Sequence, residues 1–168
     1  MAIRRRVLLA TPLLFAFPGV PAALAQGAQG APGAAWRINL WREGEPGTPL
    51  EVRGRITDGA GGPVAGATVW VRNADDNGVY GEHNGSMLTN ERGEYLLRTV
   101  YPGSYGRPRH IHMSVDHPAH RTAITEVLFK GDPILGGEDP PNAIIVEEVR
   151  LAERRVLVGN FDVVLATS

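Results

Sequence analysis

Two histidines one residue apart, His110 and His112 in the stretch RPRHIHMSV (107–115), are the residues in this chain best suited to chemistry. Successive side chains of a strand point to opposite faces, so this pair shares one face while Ile111 and Met113 take the other. The apolar face belongs in a core. Two imidazoles side by side on the opposite face can grip one metal ion, because each neutral ring offers a nitrogen lone pair. A lone strand histidine is ordinarily a hydrogen-bonded packing residue; the His-x-His spacing is what brings an ion into view. No cysteine occurs, so any metal site must use nitrogen and oxygen ligands.

The tyrosines are Tyr80, Tyr95, Tyr101 and Tyr105. Tyr80 closes the loop NADDNGVYG, Tyr105 lies in PGSY five residues ahead of His110, and Tyr95 opens YLLRTV, where an aromatic is core material. Taken singly, each packs its ring and finds a partner for its hydroxyl. His83, His117 and His120 fall in the turn-like stretches GEHNG and DHPAHR and are read as solvated.

The elements that must position these groups are short and β-rich. The 168 residues suffice for one domain with a real core. Residues 1–25 read as an export signal: Arg4, Arg5 and Arg6, an apolar run broken by proline and too short to span a bilayer, and a small-x-small ending at Ala23-Leu24-Ala25. Either the general secretory or the twin-arginine route fits, and the protein is expected outside the cytoplasm, periplasmic or secreted. Residues 26–48, rich in Gly, Ala and Pro, read as a flexible leader whose Trp36 and Trp41 mark a segment that can dock. Residues 49–168 form the domain. Removing the three arginines of the signal takes the formal net charge from −1 to −4, which argues against nucleic acid as a partner.

Within the domain, LEVRGRITD, VAGATVWV, YLLRTV, HIHMSV, RTAITEVLF, NAIIVEEVRL and RRVLVGNFDVVLA are strand-like runs separated by Gly, Pro, Asn and Asp turn chemistry. Helical periodicity is absent. The expected fold is all-β, an antiparallel β-sandwich of about eight strands.

The series VRGRITDGAGGPVAGATVWV, DNGVY, LTNERGEYLLRTVYPGSY, RPRHIHMSV, LFKGDP and FDVVL resembles the intradiol ring-cleavage dioxygenases, the family of catechol, protocatechuate and hydroxyquinol dioxygenases, over residues 49–165. The resemblance implies a non-haem ferric ion, Fe(3+), held by Tyr80, Tyr105, His110 and His112, with Tyr105 and His110 axial and Tyr80 and His112 equatorial. It implies a small catecholic substrate and O2 as reactants, ring opening between the two hydroxylated carbons, and a muconate-type diacid product. Tyr105 would be a dissociating ligand and internal base, and Arg107 would stabilise charge developing on the ring. The residue types suit this chemistry. Phenol titrates near ~10 in water, yet a trivalent cation expels its proton and binds the hard phenolate oxygen, so two tyrosines favour ferric iron.

Three departures from the family pattern stand out. Arg72 occupies a position where tryptophan is usual, Glu126 one where glutamine is usual, and the interval from Tyr105 to His110 is short. A carboxylate at 126 needs a partner, and Arg107 is the expected one. Two rival readings share part of the pattern. One is a transthyretin-like or carboxypeptidase-regulatory binding module without iron; the other is a zinc or copper site on His110, His112 and one of His83, His117 or His120.

Overall fold

The computed structural model describes residues 35–167, so the export signal and the leader up to residue 34 lie outside the described residues. Eleven strands follow in chain order among the described residues: β1 (Arg37–Asn39), β2 (Pro49–Asp58), β3 (Thr68–Ala74), β4 (Tyr80–Leu88), β5 (Glu94–Val100), β6 (His110–Asp116), β7 (Ala123–Phe129), β8 (Ala143–Ile144), β9 (Val146–Leu151), β10 (Arg154–Asn160) and β11 (Val163–Leu165). A single 3₁₀ turn, Pro133–Leu135, separates β7 from β8. No helix among the described residues is long and apolar enough to cross a membrane.

One sheet runs β1-β5-β2-β10-β9, with β11 also beside β2; the other runs β4-β3-β6-β7-β8. Alternation along each strand sends one set of apolar side chains between the sheets. Leu50, Val52 and Ile56 of β2 and Leu97 of β5 meet Val69 and Val71 of β3, Ile111 and Met113 of β6, and Val127 and Phe129 of β7 in one buried cluster. The sandwich is as expected, but its sheets are mixed. β1 runs parallel to β5, β10 and β11 parallel to β2, and β8 parallel to β7. The strand number exceeds eight because β1, β8 and β11 are only two or three residues long, too short to show an alternating pattern.

The Trp36 end of the glycine-rich stretch docks: Leu96 N donates to Trp36 O at 3.0 Å, and β1 follows in register with β5. Gly54 permits the exchange from β10 to β11. Phe161 crosses β2 there, its amide donating to Arg53 O at 2.8 Å, and a Cβ at residue 54 would stand 1.9 Å from Phe161 O. The hydroxyl of Tyr95, opposite Gly54 on β5, donates to the same carbonyl at 2.7 Å.

Candidate metal centre

The outer face of the second sheet carries the site. On β6, Ile111, Met113 and Val115 enter the core at 0–1% exposure, so His110, His112 and Ser114 point outward. An outward histidine is normally wet. His110 is only 2% exposed, because two tyrosines cover it.

Those tyrosines come from two loops that are laced together. After β3 the chain turns through residues 75–79, where Asp75 Oδ1 accepts the amides of Asn77 at 2.9 Å and Val79 at 2.8 Å. Tyr80 follows as the first residue of β4. Gly103 N, in the loop that carries Tyr105, donates to Asp75 O at 2.7 Å. A Cβ on Gly103 would lie 2.2 Å from Asp76 O, so this approach requires glycine. Beneath both loops the buried Asn73 donates to Ala74 O at 2.8 Å and Val100 O at 3.3 Å, and accepts from Thr99 Oγ1 at 3.0 Å.

The result is convergence. Tyr80 Oη lies 2.9 Å from His110 Nε2, 3.0 Å from His112 Nε2 and 3.0 Å from Tyr105 Oη. Tyr105 Oη is 3.1 Å from His110 Nε2, and the two Nε2 atoms are 3.2 Å apart. Hydrogen bonding alone cannot satisfy this cluster. His110 Nδ1 donates to Pro108 O at 2.7 Å, and His112 Nδ1 faces Glu126 Oε1 at 3.4 Å, so each neutral ring turns an unprotonated Nε2 inward. Two phenolic protons are then left for five close pairs, and the remaining pairs set lone pair against lone pair. A cation resolves the conflict. Ligands at about 2.0–2.1 Å from one ion, at right angles or slightly more, stand about 3 Å apart, which is the spacing found here.

The expected axial pairing of Tyr105 with His110 does not fit this geometry. Donors on opposite sides of one ion stand about 4 Å apart at such bond lengths, whereas these two atoms are 3.1 Å apart. Of the six possible pairs, Tyr105 with His112 is the one that makes no hydrogen-bond contact.

Electrostatics favour the neutral forms of Tyr80 and His112. Burial pushes the Tyr80 phenol above its ordinary value and the Tyr105 hydroxyl adds to this, partly offset by Arg107 and Arg72. Burial lowers the His112 imidazole, the neighbouring His110 lowers it further, and Glu126 opposes both. Arg72 stacks on Tyr80, its guanidinium carbon 4.6 Å from the ring centroid. Arg107 Nη2 stands 3.3 and 3.5 Å from the two oxygens of Glu126, so the expected partners are together.

Among the described residues, the one group of histidine and acidic side chains close enough to share an ion is His110, His112 and Glu126. None of His83, His117 or His120 belongs to it. All three, expected to be solvated, are partly buried: His83 Nε2 lies 3.2 Å from Glu45, and the His117 and His120 rings lie against each other, tilted, with centroids 5.1 Å apart.

Asp132 of LFKGDP is a buried carboxylate that accepts Arg109 N at 3.0 Å and Arg109 Nη1 at 3.2 Å. It thereby fixes the backbone immediately before His110. Its Oδ1 also accepts Ile134 N at 2.9 Å, capping the 3₁₀ turn. An aspartate followed by proline, a helix-start signal, was the cue.

Comparison with known proteins bears on this geometry. The profile of the family described as "Dioxygenase" matches residues 26–167. The chain belongs to the intradiol ring-cleavage dioxygenases. It is 31% identical to catechol 1,2-dioxygenase of Acinetobacter baylyi over 117 residues, covering 52% of this chain and 38% of that one. It is 33% identical to the protocatechuate 3,4-dioxygenase beta chain of Burkholderia cepacia over 122 residues, covering 58% and 52%. Thus the chain spans about half the length, or less, of these curated intradiol relatives. Among solved structures, the dioxygenase domain of a dioxygenase carbohydrate-binding fusion from Streptomyces sp. SirexAA-E matches with TM-score 0.68 and 30% identity, over 86% of this chain and 96% of that domain. Catechol 1,2-dioxygenase from Pseudomonas arvilla, 22% identical with TM-score 0.75 over 85% and 60% of the two chains, shares the fold.

Proposed function

We propose that this intradiol family member is a non-haem Fe(III) dioxygenase that opens the ring of a catecholic aromatic between its two hydroxylated carbons, consuming O2 and releasing a muconate-type diacid. The observation that carries this reading is the convergence of Tyr80, Tyr105, His110 and His112, with more lone pairs than protons at its centre. Two phenolates and two imidazoles are a donor set for a hard trivalent ion. Ferric iron held there supplies the Lewis acidity that makes a catechol ring reactive toward dioxygen.

The protein's own groups then divide the work. A catechol that binds through both oxygens must shed two protons. Tyr105 takes one of them at Oη: its side chain is the accessible phenol, 41% exposed, and can swing outward as a neutral phenol. Tyr80 stays in place, more buried and roofed by Arg72. With the second proton taken up by hydroxide and released as water, the exchange would leave the net charge of a poorly hydrated site unchanged, where an uncompensated charge costs several kcal/mol. Pro108 O and Glu126 hold the outer nitrogens of the two imidazoles and so keep both Nε2 atoms aimed inward. Arg107, held by Glu126, offers its guanidinium to charge that develops on the ring. The export signal read at residues 1–25 would carry this chemistry outside the cytoplasm.

Ferric loading followed by absorption spectroscopy and oxygen uptake tests the proposal. Tyrosinate on ferric iron absorbs visible light, so the loaded protein is expected to be red to burgundy and to consume O2 with at least one of catechol, protocatechuate or hydroxyquinol. Tyr80→Phe should weaken the band and abolish turnover. A folded protein that stays colourless and iron-free after loading refutes the reading.

A further inference from the structure

The β9–β10 hairpin is the least covered part of the first sheet. β9 is the outermost strand, bonded to β10 on one side and, among the described residues, to no strand on the other. Residues 147–155 are all exposed, so both faces of the hairpin end are wet, although Val149 and Leu151 are apolar and 37% and 48% exposed. A two-stranded ribbon without a covered face is marginal in water. Its free edge also leaves a row of backbone N–H and C=O groups open to pairing with another strand.

The charges along β9 select which strand. Alternation puts Glu148 and Arg150 on one face and Glu147, Val149 and Leu151 on the other. Across the hairpin Arg150 stands directly opposite Arg155, a like-charge pair. Arg155 is relieved by Glu148, whose Oε2 lies 3.1 Å from its Nε. Arg150 makes no ion pair among the described residues. Edge charges ordinarily deter pairing, but an antiparallel copy of the same strand escapes the deterrent in one register. With Val149 on the two-fold axis, Glu148 of each copy faces Arg150 of the other, and the two valines meet with Leu151 diagonal to them. Moving the axis to Glu147, Glu148 or Arg150 sets that residue's charge against its own twin.

We propose that β9 is a self-association edge: two copies of this chain pair antiparallel through residues 147–151 about a two-fold axis at Val149, joining their first sheets into one. A second copy is the partner that fits, because the strand itself supplies both charges of each contact and the lone Arg150 gains the carboxylate it lacks. Such a contact is small. A single strand pairing falls below the roughly 1,200 Å² of standard interfaces, so the dimer is a reversible one. The inference stands apart from the reaction proposed at the metal centre, which lies on the other sheet, and its test needs no turnover.

Sedimentation velocity of the full chain between about 5 and about 500 µM tests it. The wild type is expected to pass from monomer to dimer across this range. Glu148→Arg alone sets arginines against each other at both contacts and Arg150→Glu alone sets glutamates there, so each should weaken association at least about tenfold. The double exchange Glu148→Arg/Arg150→Glu restores both pairs and should restore the dimer. An equimolar mixture of the two single variants should dimerise as well, since each then meets opposite charges at both contacts. Both positions are exposed, and recovery in the mixture shows that neither variant has lost its fold. A wild type that stays monomeric over the whole range, a dimer indifferent to both single exchanges, or a mixture that stays monomeric overturns the proposal.

Discussion

Replacing Asp132 with alanine tests how the site is held in place. The Asp132 side chain is 0% exposed and serves three donors: Arg109 N, Arg109 Nη1 and Ile134 N. Alanine leaves two partly buried amides and a guanidinium without their acceptor. An unpaired buried donor costs about 1–3 kcal/mol, and breaking a buried ion pair about 3–5 kcal/mol. The Arg109 side chain is 32% exposed and regains water, which places the total near the lower end, about 3 kcal/mol. With m of about 1–3 kcal/mol per molar urea, the unfolding midpoint should fall by about 1–3 M. Asp132→Asn keeps an acceptor oxygen and should cost about half as much. The pH dependence has a definite sign. Burial raises the Asp132 carboxyl, but the amides of Arg109 and Ile134, and then the Arg109 guanidinium, more than reverse this and leave it below the ordinary carboxylate range. Its contribution is therefore complete above about pH 4 and is lost as pH falls through the lower folded-state value. The stability gap between wild type and Asp132→Ala should be flat near neutrality and close only in acid. Because Arg109 immediately precedes His110, ferric affinity should fall with stability. A loss below about 1 kcal/mol at neutral pH, or a gap that widens in acid, refutes this account.

Glu126→Gln installs the side chain usual in the family and removes the charge beside His112 Nδ1 and Arg107. The ion pair is half-exposed, so folding stability should change by less than about 1 kcal/mol, whereas ferric affinity, read by chelator competition, should drop about tenfold because the histidine loses the charge of its carboxylate partner while keeping an acceptor oxygen; unchanged affinity would show that the charge of Glu126 does not tune the imidazole. Ferric uptake itself should release protons and tighten as pH rises, since burial keeps the Tyr80 phenol protonated at neutral pH and iron must displace that proton, while the lowered His112 is already neutral there. Titration from a chelated ferric donor in weakly buffered solution between about pH 6 and 8 checks this, and pH-independent uptake would exclude phenolate ligation.

The period-two pattern of HIHMSV carried both the fold and half of the site in plain view, because one alternation decides that Ile111 and Met113 are core and that His110 and His112 face outward. Strand direction was not legible in the same way. A parallel pair such as β10 with β2 joins residues more than a hundred positions apart, and nothing local in RRVLVGN marks which way its partner runs. Asp132 was hidden for a similar reason: its cue announces a helix start, while its main partner, Arg109, lies 23 residues earlier. The ligand pairing inferred by resemblance failed at Tyr105 and His110 because which donors stand opposite depends on the directions from which two loops approach.

Those loops also explain how an outward strand face becomes a dry site. Left alone, the His110 row would be as wet as the Trp70 and Ile124 row beyond it. The Asp75 turn and the Gly103 contact fold two tyrosines back over the strand, and the cover they provide is uneven: Tyr80 is fixed as the first residue of β4, under Arg72, while Tyr105 rides on a loop and stays 41% exposed. Two phenols therefore acquire different exposure from their backbone attachments. Under the proposed reaction that inequality favours Tyr105, on its exposed loop, as the tyrosine that gives way to the incoming diol.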